Sequence, residues 1–138
     1  GFSLDAASPN VVAPGKRPFH TIIPAFLMKD GAPQMSFGVM GGNMQPQGHV
    51  QTLVPMLLAQ QQPQAACDAP RWHVATDGSV QIEAGFPAGM AEGLRRRGHP
   101  VTTGAPESLF GGGQLIWRLA DGYAAASDMR KDGQAVGF

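Results

Sequence analysis

Three observations predict an α+β fold built mainly on antiparallel strands. Asp30-Gly31, Asp77-Gly78 and Asp121-Gly122 each separate two short β-leaning runs, the pattern of tight hairpins. Two other stretches carry apolar residues at helical spacing. Strands joined by hairpins more often than by helices exclude a parallel doubly wound sheet. Spacing shows neither an internal repeat nor a domain boundary, so residues 1–138 read as one unit.

The first 18 residues are predicted irregular, because Pro9, Pro14 and Pro18 with Asn10 and Gly15 are turn chemistry. So long an uncommitted arm is expected to arrive from an upstream element. Ile22 to Met28 is an apolar β-run, Lys29-Asp30-Gly31-Ala32 a turn, and Gln34 to Val39 a second strand leading into Met40-Gly41-Gly42. Met44 to Gln60 is the strongest predicted helix. Val50, Leu53, Val54, Leu57 and Leu58 fall on one stripe, expected to face the core. Pro46 suits its first turn, whereas Pro55 should bend it.

Gln60 to Pro63 ends that helix, and a short one is predicted over Gln64 to Asp68. Arg71 to Ala75 and Ser79 to Glu83 form the second hairpin. Phe86 to Arg97 is a helix with Phe86, Met90 and Leu94 spaced by four, stopped by Gly98-His99-Pro100. A strand over Val101 to Thr103 precedes the last hairpin, Gly113 to Leu119 with Tyr123 to Ser127. The predicted order is β-β-α-(α)-β-β-α-β-β-β.

Composition narrows the function classes. Ten basic and ten acidic side chains cancel, which removes the electrostatic case for a nucleic-acid partner. The one dense basic run, Arg95-Arg96-Arg97, reads as a solvated helix end. The single cysteine, Cys67, excludes an internal disulfide and a Cys-rich zinc site, and its apolar neighbours make it a small buried hydrophobe. His49 and His73 lack ligand spacing, so no metal site is expected. No apolar run approaches a membrane span. Compartment stays open.

Gly41-Gly42 is the most informative pair. Adjacent glycines between a strand and a helix let backbone N–H groups converge at the positive end of the helix, which suits an anion or a developing oxyanion. A plain tight turn is the alternative. No G-x-G-x-x-G or Walker loop surrounds them, so nucleotide readings fail.

Pro14-Gly15-Lys16-Arg17-Pro18, Phe37-Gly38-Val39-Met40-Gly41-Gly42, Gln45-Pro46-Gln47-Gly48-His49-Val50-Gln51, Ala69-Pro70-Arg71-Trp72 and Ala126-Ser127-Asp128-Met129-Arg130 occur in one order. Together, over residues 1–138, they resemble the C-terminal part of the small subunit of the γ-glutamyltranspeptidase family. The resemblance implies an N-terminal-nucleophile hydrolase with a four-layer αββα sandwich and no cofactor. It also implies a precursor that cleaves itself, freeing a threonine as nucleophile. Thr21, Thr52, Thr76, Thr102 and Thr103 are all internal, so this segment alone is expected to be chemically inert.

By the resemblance, Gly41 and Gly42 match the glycine pair whose N–H groups stabilise the tetrahedral oxyanion. His20 and Thr21 stand in place of two serines that bind the γ-glutamyl α-carboxylate. Glutamyl-specific members carry an acidic residue just before Phe2-Ser3, where this chain has Gly1. Without that carboxylate a substrate ammonium loses its partner, so a broader amide acylase stands beside true γ-glutamyl specificity. Asp128 and Arg130 are expected to anchor the tail as an ion pair. Gly111-Gly112-Gly113 reads as a loop flanking the cleft, and Trp72 and Trp117 as core or interface aromatics. The implied partners are the rest of the small subunit, the large subunit and a small γ-glutamyl or acyl-amide substrate. Lacking those neighbours, the segment is expected to self-associate. The rival expectation is a non-catalytic interaction module on the same scaffold.

Overall fold

The computed structural model describes all 138 residues. Residues 1–24 hold turns and one isolated bridge, Ser3 to Val11, in keeping with their prolines. Strands β1 (Ala25–Lys29) and β2 (Ala32–Met40) form the first hairpin. Its turn places Asp30 at φ 50° and Gly31 at φ 76°, so both central residues are left-handed, as a two-residue hairpin with right-handed strand twist requires. Chain order continues through α1 (Gln45–Leu58), α2 (Pro63–Asp68), β3 (Trp72–Val74), β4 (Val80–Ile82), α3 (Ala88–Arg96), β5 (Val101–Thr102), β6 (Gly112–Arg118) and β7 (Tyr123–Ser127). Two 3₁₀ turns, Gly42–Met44 and Glu107–Phe110, are not among the predicted elements, though the first runs into the predicted start of the helix at Met44.

The strands make two sheets. β1-β2-β6-β7 is antiparallel throughout, whereas β3-β4-β5 is mixed, because α3 carries the chain across to set β5 parallel to β4. The register sorts the large sheet into two faces, since directly paired residues share a side. Ala25, Phe37, Leu115 and Ala126 form one row, and Leu27, Met35, Trp117 and Ala124 the next. These rows face α1 and α2 and, with Met56, Ala66 and Cys67, build the main core. The opposite face presents Phe26, Ser36, Ile116 and Ala125 to solvent. Val80, Ile82 and Ala91 form a smaller core with Trp72, Phe86 and Leu94.

Three expectations need correction. The first strand starts at Ala25, not Ile22. Pro24 has no N–H for a ladder, and the Thr21 and Ile23 backbone bonds to the Gln45 side chain instead. On α1 the buried face is Gln45, Gly48, Thr52 and Met56, while Val50, Val54, Leu57 and Leu58 of the apolar stripe are exposed. The reason is steric. A Cβ on Gly48 would lie 2.5 Å from Val39 Cγ1, so the helix meets β2 through its small residue. On α3, Met90 is exposed and Ala91 takes the buried position, packed with Val80 and Ile82.

A buried charge cluster joins the two sheets. The Arg71 guanidinium donates to Asp128 Oδ2 (2.6 Å), to the Phe110 carbonyl (3.0 Å) and to the Cys67 carbonyl. Arg130 donates to both Glu83 oxygens, to Asp128 Oδ1 and to the Cys67 and Ala69 carbonyls, which uses every donor of its fork. No buried side-chain polar atom lacks a partner, so these charges are compensated where they lie. Asp128 and Arg130 do fix the tail, as expected, and Arg71 and Glu83 extend that pair into a network.

Candidate active site

The site is assembled where β2 runs out. Beyond Met40 the chain turns through Gly41 (φ 139°, ψ 29°) and Gly42 (φ 57°) into the 3₁₀ turn that opens α1. Both glycines are exposed. Neither N–H donates to any of the turn, loop or cap hydrogen bonds, whereas their carbonyls accept from the Met44 and Gln45 N–H groups. The carbonyls therefore belong to the helix start, and the two amides at its positive end are left without a turn, loop or cap partner.

Gly41 is packed from behind. A Cβ there would come within 2.9 Å of Gly111 Cα, and a Cβ on Gly111 within 2.3 Å of the Met40 carbonyl. Two backbones thus touch at a point that only glycine permits. Gly111 is held in turn, because Arg71 grips the preceding Phe110 carbonyl and Asp128 Oδ2 accepts from the Gly113 N–H at 2.7 Å. Of Gly111-Gly112-Gly113, the last two enter β6 and only Gly111 lies outside a strand.

Gln45 carries the second connection. Its Nε2 donates to the Thr21 carbonyl (2.6 Å) and the Gly42 carbonyl (3.1 Å), and its Oε1 accepts from the Ile23 N–H (3.2 Å). Thr21 is thereby brought to the glycine turn. His20 adjoins it, and both side chains are exposed with no hydrogen bond of their own. A cavity of about 500 Å³ lies at this end of the sheet, lined by Ile22 to Pro24, Gly38, Met40, Gln45, Gln114 and Lys131 among others.

Gln47 and Gln51 do for β3 what Gln45 does for the arm. Gln47 exchanges hydrogen bonds with the N–H and carbonyl of Val74, and Gln51 with those of Trp72. The carboxamides replace a neighbouring strand and close that edge. His49, between them, faces Phe37 at 5.0 Å between ring centroids and accepts from the Val39 N–H through Nε2 (3.1 Å). Burial lowers its pKa from the ordinary 6.5.

Cys67 is fully buried, and burial, reinforced by Asp128, pushes its thiol up to about 11, so it is a core residue and not a nucleophile. Asp128 is held below the usual carboxylate range. Burial opposes its charge, but N–H bonds from Gly113 and Arg130 and the charges of Arg71 and Arg130 outweigh it. Sequence reasoning singled out the glycine pair, His20 and Thr21 and read Gly111 only as part of a flanking loop, without its backbone contact to Gly41, and it gave Gln45 no role. The glutamines were visible only as parts of a motif, since nothing local shows which backbone a carboxamide will meet.

An antiparallel sheet with helices on one face and an open opposite face makes this an α+β piece, and the solved structures it matches are hydrolases of the N-terminal-nucleophile class. The family model described as Gamma-glutamyltranspeptidase matches residues 1–138, and the chain belongs to that family. It is 35% identical to the Glutathione hydrolase-like YwrD proenzyme of Bacillus subtilis, across 99% of this chain and 27% of that protein. It is 31% identical to the Oxamate amidohydrolase proenzyme of Klebsiella pneumoniae, again across 99% of this chain and 27% of the other. Among solved structures, cephalosporin acylase from Bacillus halodurans superposes with TM-score 0.81 and 49% identity, over 96% of this chain and 25% of that one. The chain thus spans about a quarter of the relatives' length. Relatives named as hydrolases and acylases lend the interaction-module alternative no support.

Proposed function

We propose that this segment supplies the oxyanion hole and part of the acyl-binding pocket of an amide-cleaving N-terminal-nucleophile hydrolase. A threonine elsewhere in the protein attacks the substrate carbonyl. The Gly41 and Gly42 N–H groups receive the charge that develops on its oxygen, and the acyl group then passes to water or an amine acceptor. The observation that supports the reading is the pair of amides, on two exposed glycines and without turn, loop or cap partners, at the positive end of the α1 turn. Thr21, whose backbone Gln45 ties to that turn, and its neighbour His20 are the residues assigned to the substrate's acyl portion.

Surface area supports assembly with the rest of a precursor. The segment exposes 9219 Å², against about 6,900 Å² for a compact monomer of its mass. The excess, about 2,300 Å², is the size of a substantial protein interface. Phe26, Met28, Met40 and Ile116 on the open sheet, with Val54 and Leu58 on α1, are the apolar groups to be covered by the remaining small-subunit and large-subunit chain.

The test is to express the full-length precursor and follow it by mass analysis and amide turnover. Two chains with a new N-terminal threonine, and release of amine from a γ-glutamyl anilide or a simpler acyl amide, are expected. An uncleaved precursor inert toward every amide tried would refute the proposal. Relative rates on glutamyl and non-amino acyl amides decide between narrow and broad specificity.

A further inference from the structure

We infer that Gln45 is a positioning residue that fixes the distance between the acyl-binding arm and the oxyanion turn. The inference rests on the function proposed above and concerns a side chain to which no role has been assigned. Gln45 is 8% exposed, and its carboxamide is fully committed. One Nε2 hydrogen goes to the arm at the Thr21 carbonyl, and the other to the turn at the Gly42 carbonyl. Oε1 accepts from the arm again, at the Ile23 N–H.

The bonds to Thr21 and Ile23 imitate strand pairing, so the arm is registered against α1 without being part of the sheet. The bond to Gly42 ties the same group to the second residue of the oxyanion turn. A single rigid amide therefore spans the two pieces that would hold opposite ends of the acyl group.

The chemistry requires this residue type. Two carbonyl oxygens and one N–H converge, and of the common side chains only a neutral amide of this length offers two donors and one acceptor there. Glutamate matches the shape but brings a carboxylate against two carbonyls. Methionine matches the volume and offers neither donor. Misplacing bound groups by about an ångström costs catalysis on the order of a hundredfold. The loss falls on kcat, because the oxyanion contact is made in the transition state.

The experiment uses the full-length protein with Gln45→Glu and Gln45→Met, with kcat and KM referred to titrated active sites and folding followed by thermal midpoint. Both variants are expected to lose about 10- to 100-fold in kcat at neutral pH. For Gln45→Glu the deficit relative to wild type should shrink as pH falls below about 5, where the protonated acid regains one donor. The Gln45→Met deficit should not change with pH. A merely structural role would lower the active fraction and leave kcat per active site, KM and the pH ratio unmoved. Folded variants with kcat within twofold of wild type would overturn the inference, as would identical pH profiles for the two variants. Wild-type protein inert toward all amides would instead overturn the proposed function.

Discussion

An alanine at Gly42 would stand in open space at φ 57°, whereas one at Gly41 would sit at φ 139° with its Cβ 2.9 Å from Gly111 Cα. The two substitutions should therefore separate. Gly42→Ala adopts an αL conformation at a cost of about 1 kcal/mol and keeps its N–H in place. It should lower the thermal midpoint by a few degrees and leave turnover within about tenfold of wild type. Gly41→Ala combines backbone strain of about 3 kcal/mol with displacement of Gly111. It should lower kcat by about 10²- to 10³-fold through the misplaced amide. Equal losses in the two variants, measured as midpoint and kcat, would contradict this geometry.

Helix α1 is seated by Gly48 against Val39, and this contact explains why its apolar stripe points outward. Gly48→Ala would ordinarily gain about 1 kcal/mol of helix propensity. Here the added methyl meets Val39 at 2.5 Å, and overpacking of about 1–3 kcal/mol should prevail. Val39→Ala should restore part of the midpoint lost by Gly48→Ala, whereas alone it should destabilise. The same helix closes β2 through His49, which accepts from the Val39 N–H and whose pKa burial depresses by disfavouring the charged ring. A depressed histidine binds fewer protons folded than unfolded. Its contribution is therefore present above about 6.5 and is lost as pH falls through the folded value. The thermal midpoint should drop on acidification below 6.5, and His49→Gln, which can still accept, should flatten that slope.

Across the whole molecule, the Arg71, Glu83, Asp128 and Arg130 cluster joins the two sheets and braces the Gly111 segment behind the site. Removing one partner leaves a buried charge uncompensated. Arg71→Met should cost about 3–5 kcal/mol and reduce the yield of folded protein, read by midpoint and soluble expression. The depressed Asp128 contributes stability above about pH 4 that is lost as pH falls through its folded value. Expressed alone, the 138-residue segment should self-associate through its open sheet face. Light scattering that gave a clean monomer with no dye-detectable apolar surface would count against that expectation.

Hairpins, helices and the glycine pair were legible in the chain because each rests on local chemistry. Asp-Gly turn chemistry, left-handed at Asp30-Gly31, apolar spacing and proline placement act within a few residues. The α+β class followed from the same signals. Which face of α1 is buried was not legible, because hydrophobicity ranks Val50, Val54, Leu57 and Leu58 above Gly48, while close packing selects the smaller residue. Nor were the partners of Gln45, Gln47 and Gln51, or the joining of Arg71 to Asp128 across 57 positions. Those bonds form only once separate elements meet, and their geometry is set by the meeting of backbones, which no single stretch of residues encodes.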